Sequence, residues 1–402
     1  MAIVDVQPVS QRVQNMEESA TIKMAQMARD LKAKGHDVIS LSLGEPDFDT
    51  PVHIKEAAKK ALDQGYTKYT PVPGLVELRK AIQTKFKRDN NLEYDLDQIV
   101  VSNGAKQSIA NLCLSLLDEG DEVIILAPYW VSYSAIVELS GGVPVILKSD
   151  IQQDYKVPAK EIAAAITDKT KLLLYSSPCN PTGSVYTFEE LKAIAEVIGQ
   201  HEDIFIISDE IYEYINFTDK HVSIGSFPEV KDRTITVNGF SKGFAMTGWR
   251  LGYIGAPKWI ADACGKIQGQ FTSGATAFGQ MAAAHALMAD MTPTHEMRKA
   301  FLKRRNLVID LLSQIPGIKV NKPQGAFYIF PDISEFFGKS DGNNTINNAD
   351  EFSEYLLNTA HVAVVAGTAF GAENCFRLSY AASEAQLREA IRRIKEALSC
   401  LK

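Results

Sequence analysis

Residues 188–209 read FEELKAIAEVIGQHEDIFIISD. Phe188–Gly199 reads as a helix. The run 204–208 reads as a short, continuously apolar strand that stops at an acid, Asp209. A strand without polar alternation is buried on both faces, as in a parallel sheet covered by helices. The same alternation extends in both directions. Upstream, helices at 52–64 and 75–89 precede strands at Ile99–Ser102, Glu122–Ala127, 143–147 and 171–176, with helices at 106–117 and 131–140 between them. Downstream, 234–237 and 252–254 add two more strands. The fold class is therefore expected to be α/β, with a large, mostly parallel, seven-stranded sheet.

The flanks read differently. Before the sheet come a polar arm, a helix at 19–34 stopped by Gly35, and a strand at 39–43 that runs into the loop Gly44-Glu45-Pro46-Asp47. After residue 294 a long charged helix (295–313) leads into strands at 325–330, 362–365 and Phe376–Ser379, and helices at 349–359 and 384–398. That pattern is α+β and marks a second, smaller domain. The stretch GKSDGNNTINN (338–348) reads as a surface loop.

Composition narrows the function classes. The 402 residues include 42 Lys+Arg and 49 Asp+Glu, a net charge of −7, which argues against nucleic-acid or anionic-membrane partners. No apolar run approaches the ~18 residues a bilayer requires. The start of the chain shows no secretory signal. The five cysteines are scattered and form no C-x-x-C, so reduced thiols and a cytoplasmic location are expected.

Common motifs mostly fail. Gly338-Lys339-Ser340 resembles the end of a P-loop, but the first glycine is replaced by Ile333. His295-Glu296 lacks a second histidine, because position 299 is Lys299. No G-x-G-x-x-G follows a strand. Gly239-Phe240-Ser241-Lys242-Gly243 does fit the G-x-S-x-G elbow of serine hydrolases, and a strand precedes it. A hydrolase also needs an acid, a histidine and an oxyanion loop, and no HGGG-type segment lies upstream.

A different set of residues shares one chemistry. Lys242, in a small-residue turn after a strand, suits imine formation with an aldehyde if partly desolvated. Taken alone it also suits a solvated loop. Asp209 ends a buried strand, where ligands of such sheets gather, and it equally suits a helix N-cap. Asn180 lies in Ser177-Pro178-Cys179-Asn180-Pro181-Thr182-Gly183, whose prolines and glycine fix the backbone and aim the side chain. Gly104-Ala105-Lys106 opens a helix, where free N–H groups bind phosphate, and Arg250 can join them. Arg377, flanked by apolar neighbours in Phe376–Ser379, calls for an anion such as a carboxylate. An aldehyde-binding amine, an acid for a pyridinium nitrogen, a phosphate cradle and a carboxylate clamp together describe a pyridoxal phosphate site.

With these motifs in place, the chain resembles the class I/II, fold-type I aminotransferases over nearly its whole length, from Ser42-Leu43-Gly44-Glu45-Pro46-Asp47-Phe48 to Phe376–Ser379. The resemblance implies a homodimer with shared active sites. It also implies an arm at 1–18, a large cofactor domain at 49–294, and a small domain built from 19–48 plus 295–402. Lys242 would carry the pyridoxal 5'-phosphate as an imine and shuttle the substrate proton. Asp209 would pair with the ring nitrogen, Asn180 and Tyr212 with the ring oxygen, and Trp130 would stack on the ring. Gly104, Ala105, Ser241 and Arg250 would hold the phosphate, with Tyr69 reaching the neighbouring subunit's phosphate. Arg377 and the Gly44 backbone would take the substrate α-carboxylate. Several relatives carry serine three residues before the lysine; here it is Gly239, which removes one hydroxyl from the phosphate set.

The resemblance also bears on the substrate. The stretch 269–284 has neither Lys nor Arg, so the partner-chain arginine of one aspartate aminotransferase subgroup is missing. Another subgroup uses a lysine in G-[AG]-K-Q and a Ser-x-Thr pair. Gly104-Ala105-Lys106-Gln107 and Ser19-Ala20-Thr21 match these. This implies L-aspartate as amino donor and 2-oxoglutarate as acceptor, with Lys106 on the distal carboxylate; some members of that subgroup also aminate prephenate. The alternatives are another specificity (prephenate, aromatic or alanine) and a serine hydrolase acting through Ser241.

Overall fold

The computed structural model describes residues 9–14, 16 and 18–402; positions 1–8, 15 and 17 of the expected arm lie outside the described residues. In chain order the strands are β1 (Ile39–Ser40), β2 (Ile99–Ser102), β3 (Glu122–Ala127), β4 (Val143–Lys148), β5 (Thr170–Ser176), β6 (Phe205–Asp209), β7 (Thr234–Gly239), β8 (Gly252–Gly255), β9 (Tyr328–Ile329), β10 (Val362–Ala363), β11 (Val365–Ala366) and β12 (Phe376–Ser379). Seven of them form one sheet in the order β2-β8-β7-β6-β5-β3-β4. Only β8 runs against its neighbours, pairing antiparallel with β7 and β2. The expected α/β class with a mostly parallel seven-stranded sheet is what the structure shows.

Both faces of the sheet are buried, which explains the unbroken apolar strands. Val123, Ile125, Leu172, Leu174 and Ile207 pack on one face with Ile109 and Leu112 of the helix Ala105–Leu116. Their neighbours Ile124, Leu126, Leu173 and Ile206 pack on the other with Leu191 and Ile194 of Phe188–Gly199. That helix starts on a reciprocal cap. Thr187 Oγ1 accepts from Glu190 N at 3.2 Å, and Thr187 N donates to Glu190 Oε2 at 2.7 Å.

The two chain ends meet. Ile39 and Ser40 of β1 pair in parallel with Val362 and Ala363 of β10, and β11, β12 and β9 form a three-stranded antiparallel sheet. The strand expected at 362–365 is therefore two strands that break at Val364 and join different sheets. Similarly, 39–43 is strand only at Ile39–Ser40, and 325–330 only at Tyr328–Ile329, with Gly325 making an isolated antiparallel bridge to Asn216. Among the described residues, four helices had no counterpart in the sequence pattern: Gln11–Gln14 within the expected arm, Ala159–Ala165, Lys258–Phe271 and Ala277–Met288. The last packs on Val52–Asp63 and Val76–Lys85 and buries Ala282, Ala283, Ala286 and Leu287, so it has no polar stripe to reveal a helical period. Lys258–Phe271 carries Gly265 and Gly269 inside it, which read as breakers. Among the described residues no helix is long and apolar enough to cross a membrane.

The segment after β6 is anchored by a buried charge network. Lys85, wholly buried, pairs with Glu213 and donates to Asn90 Oδ1 at 2.5 Å. Asn90 Nδ2 donates to Glu213 Oε2 at 2.8 Å and to Ser223 Oγ at 2.9 Å. Glu210 Oε2 accepts from Ser223 Oγ at 2.6 Å and meets His221 Nε2 at 2.8 Å. Burial disfavours a charged His221, but the Glu210 and Glu213 carboxylates outweigh it and raise its pKa. Removing one partner of such a pair strands the other in low dielectric. Lys85→Ala is expected to lower the unfolding free energy by about 3–5 kcal/mol in urea titrations; a loss below about 1 kcal/mol, the level of a surface pair, would show that Glu213 does not depend on it.

Candidate active site

The carboxyl ends of the central strands open into a cavity of about 390 Å³. Cavities of this size hold small molecules, and in open parallel sheets they sit at this edge. Gly44, Ala105, Lys106, Trp130, Asn180, Asp209, Tyr212, Ser241, Lys242, Arg250 and Arg377 all line it, although they come from segments spread over the whole chain. Gly104 lies immediately beside it, under Arg250. Tyr69 is the exception. It is fully exposed, outside this cavity, in a loop facing Gly274–Phe278.

Lys242 follows β7, and its amino group donates to the Gly44 carbonyl. Burial brings its pKa down to about 8; Arg377 and Arg250 push the same way, while Glu45 and Asp209 oppose them. Asp209 closes β6, 5% exposed. Its Oδ2 accepts from Tyr133 Oη at 2.7 Å and its Oδ1 from Ile211 N at 3.2 Å. Burial raises its pKa to about 6. The carboxylate was equally readable as a helix cap; instead it faces the cavity.

At one end of the cavity the helix Ala105–Leu116 begins after Gly104, whose φ is +84°. A Cβ at 104 would collide with Arg250 Nη2, so glycine is needed there for both conformation and space. Arg250 donates to the Thr247 and Asn103 carbonyls, at 2.9 and 3.5 Å. Ser241, 8% exposed, lines the same cavity. At the other end Arg377 is 2% exposed, with its guanidinium between the rings of Tyr328 and Phe370 at 4.6 and 4.9 Å. It donates to Asn180 Oδ1 at 3.0 Å and to the Ser42 carbonyl at 2.5 Å, while its Nε is buried without a partner. Tyr212 Oη bonds to Tyr328 Oη at 2.7 Å. Lys106 Nζ sits 4.9 Å over the Trp130 ring, and burial and Arg250 lower its pKa. Ser19 and Thr21 reach the same cavity, and Thr21 Oγ1 is buried without a partner.

These residues fit pyridoxal phosphate, the group implied by the resemblance. Asp209 is a buried carboxylate with no cation within ion-pair distance among the described residues. Arg377 Nε is orphaned, and the Gly104 turn admits only a bare backbone beside Arg250. The ring nitrogen and phosphate of pyridoxal phosphate would satisfy Asp209 and the Gly104–Arg250 end, and the carboxylate of an amino-acid substrate would satisfy Arg377. The hydrolase reading finds no support, since among the described residues no histidine lines the cavity around Ser241.

Sequence reasoning missed Tyr133, Tyr328, Phe370 and the Ser42 carbonyl. Tyr133 sits three residues after Trp130, which was the one available hint. Tyr328 and Phe370 read as ordinary core aromatics.

Comparison with known proteins agrees with this geometry. Residues 36–394 match the family model for aminotransferase class I and II. The chain is 48% identical over 399 residues to a bifunctional aspartate aminotransferase and glutamate/aspartate-prephenate aminotransferase of Petunia hybrida, covering 98% of this chain and 83% of that one. The crystal structure of the aspartate aminotransferase from Rhizobium meliloti superposes with a TM-score of 0.95 at 42% identity, covering 98% of this chain and 100% of that one. The aspartate aminotransferase from Thermus thermophilus with maleate gives a TM-score of 0.92 at 41% identity, covering 97% and 100%. A family match across most of the chain, together with a cavity that gathers Lys242, Asp209, Arg250 and Arg377, shows that this protein belongs to the class I and II aminotransferases.

Proposed function

We propose that the protein transfers the α-amino group of L-aspartate to 2-oxoglutarate, giving oxaloacetate and L-glutamate, in a ping-pong cycle with pyridoxal 5'-phosphate in the cavity. The observation that carries this reading is a buried amine, Lys242, sharing one cavity with Asp209, Arg377 and a second cation, Lys106. Members of the family generally use this cofactor. When bound, it supplies an aldehyde that takes up the amino group and a ring that withdraws electrons from the substrate α-carbon.

The residues divide the work. Gly104, Ala105, Ser241 and Arg250 hold the phosphate, the last as a guanidinium already fixed by two backbone carbonyls. Asp209 keeps the ring nitrogen protonated, Asn180 and Tyr212 face the ring oxygen, and Trp130 covers the ring. Arg377 takes the substrate α-carboxylate beside Gly44, its planar fork held flat between two aromatic rings. Lys242 Nζ removes the proton from the substrate Cα and returns it on the cofactor side, a task suited to an amine with a pKa near working pH. Lys106, with Ser19 and Thr21, meets the distal carboxylate. The unpartnered Thr21 hydroxyl and the maleate bound by the Thermus relative, a dicarboxylate, support this placement.

The same reading takes 49–294 as the cofactor unit and 19–48 with 295–402 as a unit that closes over the substrate and excludes water. The parallel pairing of β1 with β10 supports that division. A homodimer would give the exposed Tyr69 its role, at the neighbouring subunit's phosphate. A cytoplasmic location agrees with five unpaired cysteines. The Petunia relative's name makes prephenate a second acceptor worth testing.

An amino-donor and keto-acceptor panel tests the reading; aspartate with 2-oxoglutarate should be the best pair, and its absence from the active pairs would refute it. Lys242→Ala should abolish hydride-fixed cofactor attachment and lower kcat by about a thousandfold or more. Lys106→Ala should raise KM for aspartate about ten- to a hundredfold, as expected for a lost charge-assisted contact, and leave KM for alanine nearly unchanged. Equal effects on both donors would remove Lys106 from the distal site. Because only the neutral amine attacks an aldehyde, cofactor uptake by the stripped protein should accelerate as pH rises through about 8. Stopped-flow absorbance measures it, and a flat profile between pH 7 and pH 9 would contradict the lowered pKa.

A further inference from the structure

Asp209 has one side-chain hydrogen-bond donor among the described residues, and no sequence motif pointed to it. Tyr133 is wholly buried on the helix Ser132–Leu139, which begins at the cavity wall. Its hydroxyl lies 2.7 Å from Asp209 Oδ2. The same ring meets Trp130 edge-on, with centroids 5.5 Å apart and planes at 87°. One residue thus touches both the carboxylate and the aromatic wall of the site.

The direction of the hydrogen bond follows from charge. Burial, and then Asp209, push the Tyr133 phenol well above its ordinary pKa, so it keeps its proton and donates. Burial drives Asp209 toward its neutral form, while Tyr133 and the Ile211 N–H drive it back. A donor to a carboxylate stabilises the ionised state more than the neutral one. The other groups facing Asp209 are Glu210, Lys242, Tyr212 and Cys179. Burial raises the last two out of the working range.

We propose that Tyr133 is a positioning residue for Asp209: its hydroxyl holds the carboxylate ionised and aimed into the cavity, ready for a protonated ring nitrogen. That readiness for a ring nitrogen rests on the proposed pyridoxal phosphate site. Tyr133→Phe removes the donor and keeps the ring against Trp130.

Two measurements on the full-length protein test this. The first compares thermal unfolding of the cofactor-stripped wild type and Tyr133→Phe between pH 5 and pH 7, below the range where Lys242 titrates. Asp209 has a folded pKa above its unfolded value, so its ionisation works against the fold as pH rises. Losing the donor raises that pKa further. The variant's deficit should therefore grow with pH through about 6 and nearly vanish at pH 5. The second measures the dissociation constant of pyridoxal phosphate. Tyr133→Phe should weaken it about tenfold, the equivalent of one pKa unit, in the wild-type background. In Asp209→Asn it should change it less than about twofold, since the effect runs through the carboxylate. A deficit independent of pH, or equal weakening in both backgrounds, makes Tyr133 a packing residue and overturns the proposal. A wild type that takes up no pyridoxal phosphate refutes the proposed function instead, and the unfolding series alone then decides the Tyr133–Asp209 bond.

Discussion

Four cations, Lys106, Lys242, Arg250 and Arg377, face one cavity. Like charges gathered in one cavity raise one another's energy, and burial adds to the cost for Lys106, Lys242 and Arg377. Lys242 and Lys106 answer by losing proton affinity, Lys242 down to about 8. Burial lowers the pKa of the Arg377 guanidinium as well, and the fold holds both arginines in place. Arg377 is clasped by two rings, an amide oxygen and a carbonyl; Arg250 is tied to two carbonyls. An array assembled against its own repulsion is preorganised for a ligand that brings several negative groups. Phosphate, α-carboxylate and a distal carboxylate are such groups.

That array depends on where the parallel sheet places its strand ends. Gly104 and Lys242 follow strands of the central sheet and Asp209 ends one, and all three arrive at one edge without any local motif joining them. Gly44 and Arg377 arrive by another route, through the pairing of the two chain ends. The buried Lys85, Glu213, Glu210 and His221 network fastens the segment after Asp209 from behind.

Much of this was legible in the sequence, for identifiable reasons. Strands β2, β3 and β12 and the helix Phe188–Gly199 matched to the residue, because their apolar runs are bounded by turn signals or caps. The residues expected at the site lie together, Tyr69 apart, because strand-end positions and Pro- and Gly-rich turns constrain where a side chain can point. The helix Ala277–Met288 was invisible because burial on nearly all sides erases periodicity. The break at Val364 was invisible because no local preference separates two strands that pair with different partners. Tyr133 and Tyr328 were hidden for a related reason: an aromatic that fills a core and one whose hydroxyl bonds Asp209 or Tyr212 at the cavity look alike until the partner is seen.

The order of apolar and polar residues was enough to decide the α/β class, the seven strands and the small set of chemically capable side chains. These properties are local, set by which faces must leave water. Distances were decided only in three dimensions. Ser42 and Arg377 are separated by 335 positions yet share a hydrogen bond, and Asn180 reaches the same guanidinium from a third segment. Such contacts depend on how whole layers dock, a cooperative outcome of packing that no short stretch of chain encodes.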